Sequence, residues 1–349
     1  MSVRTTPRAG ASVAVVGLVA VAALAGTAAP ADAAPASAAP ASASGTSCPS
    51  GTLSVSTLRS GCTTSDGTVR LSDGRTFAIP ARGASVVALS VAAAGATEPS
   101  EVVVANTGRA GVAVRVGDAW QGAPAAVRQQ RSAISAVTGS TGAHTVGTGS
   151  AATTGTRAAA STKCTSTANV QTRYRWSSAV RWYYNATGSK GTYAQSALQK
   201  AANAWTGKIS SCGKTVTSTA GNTFVRTVTQ VPDVTATGGC SASSGSSVTG
   251  WGALPARTLG VTCVWYDQNG VVKEADQRYS TKYAWSSTAS CSGSRYDVQA
   301  VATHEWGHLY GLGHVASGTG QVMEKSEGPC ALGSRTLGLG DMTGIAAKY

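Results

Sequence analysis

Residues 297–314 read DVQAVATHEWGHLYGLGH and hold three of the four histidines in a chain of 349 residues. Asp297 is a favourable N-cap, and the apolar residues that follow it predict a helix through Leu312. Side chains four positions apart project from one face of a helix, so His304 and His308 can bind one metal ion together. The segment therefore predicts a metal site built on a helix.

Glu305 and the turn after the helix complete the predicted site. Glu305 is rotated from His304 by about 100° around the helix, so we expect it to reach a metal-bound water without being a ligand. Gly311 tolerates a positive φ and lets the chain leave the helix sharply. The chain can then return and deliver His314 as the third ligand.

Three nitrogen ligands leave one tetrahedral position open for water, which is the arrangement of a catalytic zinc site. A purely structural zinc is the alternative, but such sites usually have four protein ligands, often thiolates. The fourth histidine, His144, lies in a stretch rich in glycine, serine and threonine. It is predicted to be an ordinary loop residue.

Asp297–His314 resembles the active-site helix of the metzincin metallopeptidases and is most similar to the matrixin branch. The resemblance extends over most of residues 163–349, including a helix at Thr192–Trp205 and the closing segment LGLGDMTGIAAKY. It implies an α+β fold, in which a twisted mixed sheet carries the active-site helix, a Met-turn and a C-terminal helix. Met323 follows His314 at the Met-turn position, and the resemblance implies that it forms an apolar floor beneath the zinc.

The chain departs from the matrixin pattern in its turn and in its N-terminal half. Lys325 stands where the matrixin Met-turn usually has a proline, and no tyrosine there supplies the fifth ligand of astacin-like and serralysin-like members. The PRCGxPD cysteine switch of matrixin propeptides is also absent. An inhibitory prosegment would therefore have to block the site in another way.

The resemblance implies a zinc metalloendopeptidase that acts on proteins or peptides. Zinc is expected to bind the substrate carbonyl and a water whose pKa it lowers to about 7, with Glu305 as the general base. The substrate should lie extended against the strand near Leu259–Tyr266 and bond to its main chain. A zinc-dependent cell-wall hydrolase or amidase is the alternative, and a catalytically idle binding protein is a third hypothesis.

The first 33 residues are predicted to be a signal peptide of a secreted protein. Arg4 and Arg8 precede an apolar run at residues 11–25, and Ala31-Asp32-Ala33 places small residues where a signal peptidase cleaves. An uncleaved membrane anchor is the alternative. No later apolar stretch is long enough to span a bilayer, so we expect no stable membrane anchor.

Because a secreted protein enters an oxidising compartment, the eight cysteines are expected to form disulfides. Cys48 and Cys62 lie close together in the sequence and could staple the start of the mature protein. The other six allow 15 connectivities, among which the sequence does not choose. A zinc–thiolate cluster is disfavoured because no CxxC spacing occurs.

Composition divides the chain after the signal peptide into four parts. Residues 34–47 are rich in alanine, proline and serine and predict a tether, and residues 48–131 predict a small β-rich unit. Residues 132–162 predict a linker of small polar residues that is open to proteolysis, followed by the predicted peptidase domain at 163–349. The β-rich unit is a prosegment, a surface-binding module or an intramolecular chaperone, and the sequence leaves these alternatives open.

Alternation of residue types and turn signals predict the elements on either side of the linker. The dipeptide Asn269-Gly270 is a strong hairpin signal between apolar runs. The apolar residues of the helix at 192–205 recur at helical spacing. The strands are predicted at 85–92, 102–105, 112–116, 181–184, 261–266 and 271–272.

The formal charge of +13 is spread over both halves of the chain. No basic block is interleaved with aromatic residues, so a solvated basic surface is predicted rather than a nucleic-acid site. The nine aspartates form no recognisable calcium loop, and structural calcium stays open. We expect a monomer.

Overall fold

The computed structural model describes residues 46–97, 99–138 and 162–349. Strands predominate over helices in these residues, and the fold is α+β, as predicted. The predicted signal peptide lies outside the described residues, as do residues 34–45 of the tether and 139–161 of the linker. No helix among the described residues is long and apolar enough to cross a membrane.

The first part of the described chain, up to residue 138, is built mainly from strands. Its strands are β1 (Thr52–Ser54), β2 (Thr68–Arg70), β3 (Thr76–Ala78), β4 (Ala84–Ala93), β5 (Val102–Asn106), β6 (Val112–Val116) and β7 (Ala119–Gly122). Its helices are α1 (Val55–Leu58), a 3-10 turn (Gly108–Ala110) and α2 (Pro124–Thr138). The strands predicted in this part are confirmed as β4, β5 and β6.

The predicted start of the linker at residue 132 is wrong, because α2 continues to Thr138. Pro124 occupies the first helical position, where its fixed φ and missing N–H are tolerated. The residues that follow include several alanines, glutamines and arginines, which favour a helix. The helical sequence therefore extends past the point where the composition turns small and polar.

The second part, residues 162–349, contains further strands and the longer helices of the site. Its strands are β8 (Val170–Gln171), β9 (Val180–Tyr184), β10 (Gly207–Ser211), β11 (Lys214–Ser218), β12 (Asn222–Thr227), β13 (Ser247–Gly252), β14 (Thr258–Asp267), β15 (Val272–Ser280), β16 (Trp285–Ser286), β17 (Tyr296–Asp297), β18 (Leu312–Gly313) and β19 (Ser326–Glu327). Its helices are α3 (Thr162–Thr165), α4 (Ala194–Asn203), α5 (Val298–Leu309), a 3-10 turn (Leu332–Arg335) and α6 (Leu339–Lys348).

Ten strands form one sheet in the order β12-β9-β13-β15-β14-β4-β5-β6-β7, with β19 paired to β4. Strands β12, β9, β13 and β15 are mutually parallel, whereas β14 is antiparallel to both of its neighbours, β15 and β4. Strands β4, β5, β6 and β7 of the predicted N-terminal unit therefore belong to the same sheet as strands of the predicted peptidase domain, whereas β1, β2 and β3 form a separate three-stranded sheet.

The predicted hairpin is confirmed by the antiparallel pair β14 and β15. Gly270 lies in its turn at φ 79°, which glycine adopts at little cost. Nine of the ten residues of β14 are buried. A strand buried on both faces reads as a nearly continuous apolar run, as LGVTCVWY does here.

Helices α4 and α5 pack together on the sheet. The buried face of α4 consists mainly of small residues (Ala194, Ala197, Leu198, Ala201 and Ala202), which confirms the predicted helical spacing. Small side chains allow the two helices to approach closely. The indole of Trp205 then donates to the backbone carbonyl of Thr303 on α5 at 2.8 Å.

Helix α5 ends earlier than predicted, at Leu309 rather than Leu312. Gly311 adopts φ 93°, which terminates the helix and reverses the chain. Leu312 and Gly313 then form β18, which pairs antiparallel with β8. Adding a Cβ at Gly311 would place it 2.4 Å from the carbonyl oxygen of Tyr174, so glycine is required by close approach as well as by φ.

Four disulfides join all eight cysteines: Cys48–Cys62, Cys164–Cys212, Cys240–Cys263 and Cys291–Cys330. The first is the pair that proximity in the sequence suggested. The other three depend on the tertiary fold. Cys240 and Cys263 are fully buried beside the strands of the first part.

We predict that the double variant Cys240→Ala/Cys263→Ala lowers the free energy of unfolding by about 3 kcal/mol, because the crosslink restricts the unfolded chain. The sequence separation of the pair is 23 residues. Urea unfolding followed by tryptophan fluorescence measures the effect. An unchanged midpoint with an unchanged slope would contradict the prediction.

Candidate metal centre

Three imidazoles meet where α5 and the turn that follows it face each other. We call His304, His308 and His314 the histidine triad. The Nε2 atoms of His304 and His308 lie 2.9 Å apart, and those of His308 and His314 also lie 2.9 Å apart. The distance between His304 Nε2 and His314 Nε2 is 3.1 Å. The structure therefore brings together all three residues that the sequence proposed as ligands.

The other ring nitrogens fix the tautomers of two members of the triad. His304 Nδ1 lies 2.7 Å from the carbonyl oxygen of Val322, and His308 Nδ1 lies 2.9 Å from that of Leu312. A carbonyl oxygen can only accept, so each Nδ1 carries the proton and each Nε2 presents a lone pair. This arrangement orients both rings as metal ligands.

Burial keeps these imidazoles neutral. It lowers the pKa of His304 to about 3, and it lowers the pKa of His308 well below the ordinary value. Burial also lowers the pKa of His314 to about 3; the nearby charge of Lys325 lowers this pKa too, and the backbone of Ser90 raises it. Neutral imidazole is the form that binds a metal ion.

A cation fits the triad. With the protons of His304 and His308 on Nδ1, the 2.9 Å contact between their Nε2 atoms sets two lone pairs against each other. A shared positive ion turns that repulsion into two bonds. Nitrogens that bind one zinc at about 2.0–2.1 Å must lie within about 4.2 Å of each other, and all three pairs of the triad do. The residues can hold a metal ion.

Glu305 is fully buried and lies against β14. The hydroxyl of Thr262 donates to Glu305 Oε2 at 2.5 Å and contacts the backbone oxygen of Glu305 at 3.2 Å. A Cβ added at Gly260 would lie 2.7 Å from Glu305 Oε1, so the glycine leaves room for the carboxylate. Thr262 and Gly260 fix the position of this carboxylate against β14.

Sequence reasoning missed both of these residues of β14. Gly260 and Thr262 share one face of the strand with Val264 and Tyr266, because side chains alternate along a strand. A glycine and a threonine that interrupt an otherwise apolar face are a signal for a buried polar partner. The identity of that partner depends on how β14 packs against α5.

Met323 packs against α5, in the predicted turn after the triad. A Cβ added at Gly307 would lie 2.2 Å from Met323 Sδ and 2.8 Å from Trp205 Cζ2. The missing side chain of Gly307 therefore makes the space that Met323 fills. Val322, the residue before it, supplies the carbonyl that binds His304.

Asp341 on α6 holds this turn and was also missed. Its carboxylate accepts the backbone N–H of Val322 at 2.7 Å and that of Gly338 at 2.9 Å. Burial raises the pKa of Asp341 to about 6, although these N–H groups favour the charged form. At Lys325, where the matrixin pattern has proline, the chain continues into β19.

A second group of acidic residues lies away from the triad. The carboxylates of Asp233, Glu274 and Asp276 lie within 4.8 Å of one another. Asp276 accepts the backbone N–H of Val248 at 2.6 Å, and Glu274 accepts that of Gly245 at 2.6 Å. The sequence did not predict this cluster because Asp233 lies far in the sequence from β15, the strand that carries Glu274 and Asp276. Backbone N–H groups bond to these carboxylates, and the cluster supports no assignment of calcium.

A cavity of about 660 Å³ opens beside His314, which is half-buried. Residues of both parts line it, including Glu101 and Trp120 of the first part and Tyr174 and Lys325 of the second. The third member of the triad is therefore accessible from the cavity. His144 lies outside the described residues.

We predict that His314→Ala abolishes tight zinc binding, because two imidazoles and water replace three imidazoles. His144→Ala is the matched control and should retain about one zinc per chain. Zinc content after dialysis, measured by atomic absorption, separates the two variants. Full retention of zinc by His314→Ala would show that the triad is not the site.

We also predict that Gly307→Ala lowers the free energy of unfolding by about 2 kcal/mol, because the new methyl group overpacks the space held by Met323 and Trp205. Gly333→Ala is the control, since nothing lies within 4 Å of its Cβ position. Thermal unfolding of the zinc-loaded chains compares the two. Equal midpoints would contradict the packing of Met323 against α5.

No protein-family profile and no curated protein matches this chain. Its function must therefore be inferred from its own residues and their geometry.

Proposed function

We propose that this protein is a secreted zinc-dependent endopeptidase of the metzincin type, most similar to the matrixins. The observation that carries the proposal is the set of three Nε2 atoms within 3.1 Å of one another. Two of the three histidines, His304 and His308, are fully buried, and so is Glu305, the residue that follows His304. The proposal is supported by a mixed sheet, a helix that carries His304 and His308, a turn at Met323 and a closing helix.

Several features support a catalytic role over a structural one. The triad supplies three nitrogen ligands and no thiolate, since all eight cysteines are in disulfides. Catalytic zinc sites have three protein ligands, whereas structural sites usually have four. The cavity beside His314 gives access for a substrate.

Zinc held by the triad would act as a Lewis acid and lower the pKa of a bound water. Glu305 would take the proton from the attacking water and pass it to the leaving amine. Thr262 donates to Glu305 Oε2, so it orients the carboxylate. Burial by β14 excludes bulk water from Glu305, which strengthens its interactions.

The sheet favours an extended peptide as substrate. The edge of β14 that faces away from β15 is paired with β4 in this structure, and with β4 displaced it can bond to the main chain of an added strand. A peptidoglycan strand offers no such continuous set of backbone groups. The structure therefore gives no specific support to the alternative of a cell-wall hydrolase or amidase.

Export is part of the proposal. Four disulfides fit an oxidising compartment. The predicted signal peptide at residues 1–33 lies outside the described residues.

We predict that Glu305→Gln retains zinc and loses hydrolysis by about 10²- to 10⁴-fold, because an amide cannot accept the proton. Glu324→Gln is the control: its carboxylate accepts the backbone N–H of Gly320, a role that an amide oxygen can keep. Hydrolysis of casein and of peptidoglycan is followed with the chain intact and after it is cut between residues 139 and 161 and its first part is removed. Chelator-insensitive hydrolysis, or full activity of Glu305→Gln, would refute the mechanism.

A further inference from the structure

The edge of β14 beside the triad is already occupied by a strand of the same chain. β4 pairs antiparallel with β14 from Ala84 to Ala92. In this register Val91 lies opposite Gly260, and Leu89 lies opposite Thr262. These are the two residues of β14 that contact Glu305. β4 thus lies where the proposed function places the substrate.

The other side of β4 is held by β19, which follows the methionine turn. Ala92 and Ala93 pair in parallel with Ser326 and Glu327. The N–H of Ala92 donates to the carbonyl of Lys325 at 3.1 Å, and that of Ala94 donates to the carbonyl of Glu327 at 2.9 Å. β4 therefore lies between β14 on one side and β19 on the other.

The strand also packs against α5, the helix that carries His304 and His308. Val91 lies opposite Gly260, whose missing side chain accommodates Glu305. The backbone of β4 around Val91 therefore runs beside the strand that carries the contacts of the proposed general base. A substrate main chain would have to take this path.

We propose that β4 is an internal, substrate-like occupant of the peptide cleft, and that it keeps the peptidase inactive until the first part is removed. This inference rests on the proposed function. The cleft lies between the edges of β14 and β19, and residues 84–94 occupy it. Among the three roles left open for the β-rich unit, this arrangement selects the prosegment.

The positions of the four disulfides allow the first part of the chain to be released. Cys48–Cys62 lies within the first part, and the other three pairs lie within residues 162–349. One cut between residues 139 and 161 therefore leaves no covalent link between the two parts. The sequence of this segment is small and polar, as at sites of proteolytic nicking.

A cut alone will not release β4 quickly. Val86 and Val104 of the first part share one buried apolar cluster with Val261 and Trp265 of β14. Separation would expose these side chains to water, at a cost of about 1.5–3 kcal/mol for each fully buried aliphatic side chain. Activation therefore needs the cut followed by dissociation or digestion of the first part.

The test uses the full chain with a site for a sequence-specific protease inserted between residues 145 and 155. Hydrolysis of an internally quenched peptide is measured before the cut, after it, and after removal of the first part in mild urea. A tethered strand acts at an effective concentration of about millimolar, so we expect a rise of about 100-fold or more on removal. An equal rate before the cut and after removal would overturn the inference and leave the proposed function standing.

A point variant tests the same contact in the intact chain. Ala94→Pro removes the N–H that donates to Glu327 and should raise the rate about three- to ten-fold, the equivalent of one hydrogen bond. Ala125→Pro is the matched control, because proline is tolerated in the first turn of α2. An equal effect of the two variants would overturn the role of β4.

A binding measurement keeps the two proposals separable. A labelled peptide with the sequence of residues 84–94, ASVVALSVAAA, is added to the cut, zinc-loaded Glu305→Gln chain after removal of the first part, and a scrambled peptide serves as control. Selective binding of the native sequence supports the assignment of the cleft. If the parent chain then shows no hydrolysis, that result refutes the proposed function and leaves the cleft assignment standing. Equal binding of both peptides would overturn the cleft assignment.

Discussion

The site depends on where two protons lie. His304 and His308 each give their Nδ1 proton to a backbone carbonyl, so their Nε2 lone pairs face each other inside the protein. Neither the surrounding apolar residues nor bulk water can relieve that repulsion, because both rings are fully buried. A cation bound by the triad would relieve it, and the three nitrogens could hold one. The roles proposed for Glu305 and for the cleft depend on where that cation is bound.

The two backbone carbonyls that fix the tautomers of His304 and His308 are held in place by parts of the chain that are distant in sequence. The carbonyl of Val322 is placed by Asp341, which holds the Val322 N–H from α6. The carbonyl of Leu312 is placed by β18, which pairs with β8 near the start of the second part. The ends of the second part therefore meet around α5, and damage to either end is transmitted to the triad.

Local signals in the sequence predicted the features with short-range causes. The spacing of His304 and His308, the reversal at Gly311 and the hairpin at Asn269-Gly270 each follow from helix or turn geometry. Thr262 could not be identified as the partner of Glu305, because the two meet through the packing of β14 on α5. The pairing of β4 with β14 joins residues far apart in the sequence, and no local pattern specifies which strands become neighbours.

Latency has a physical source here that differs from a cysteine switch. A switch of that kind needs a free thiol to bind the metal, and all eight cysteines of this chain are in disulfides. The edge of β14 presents unpaired backbone groups whenever no strand covers it, and such an edge attracts another chain. β4 satisfies this edge by pairing with β14 from Ala84 to Ala92. The strand that protects the sheet from aggregation is thus the same strand that we propose excludes a substrate from the cleft.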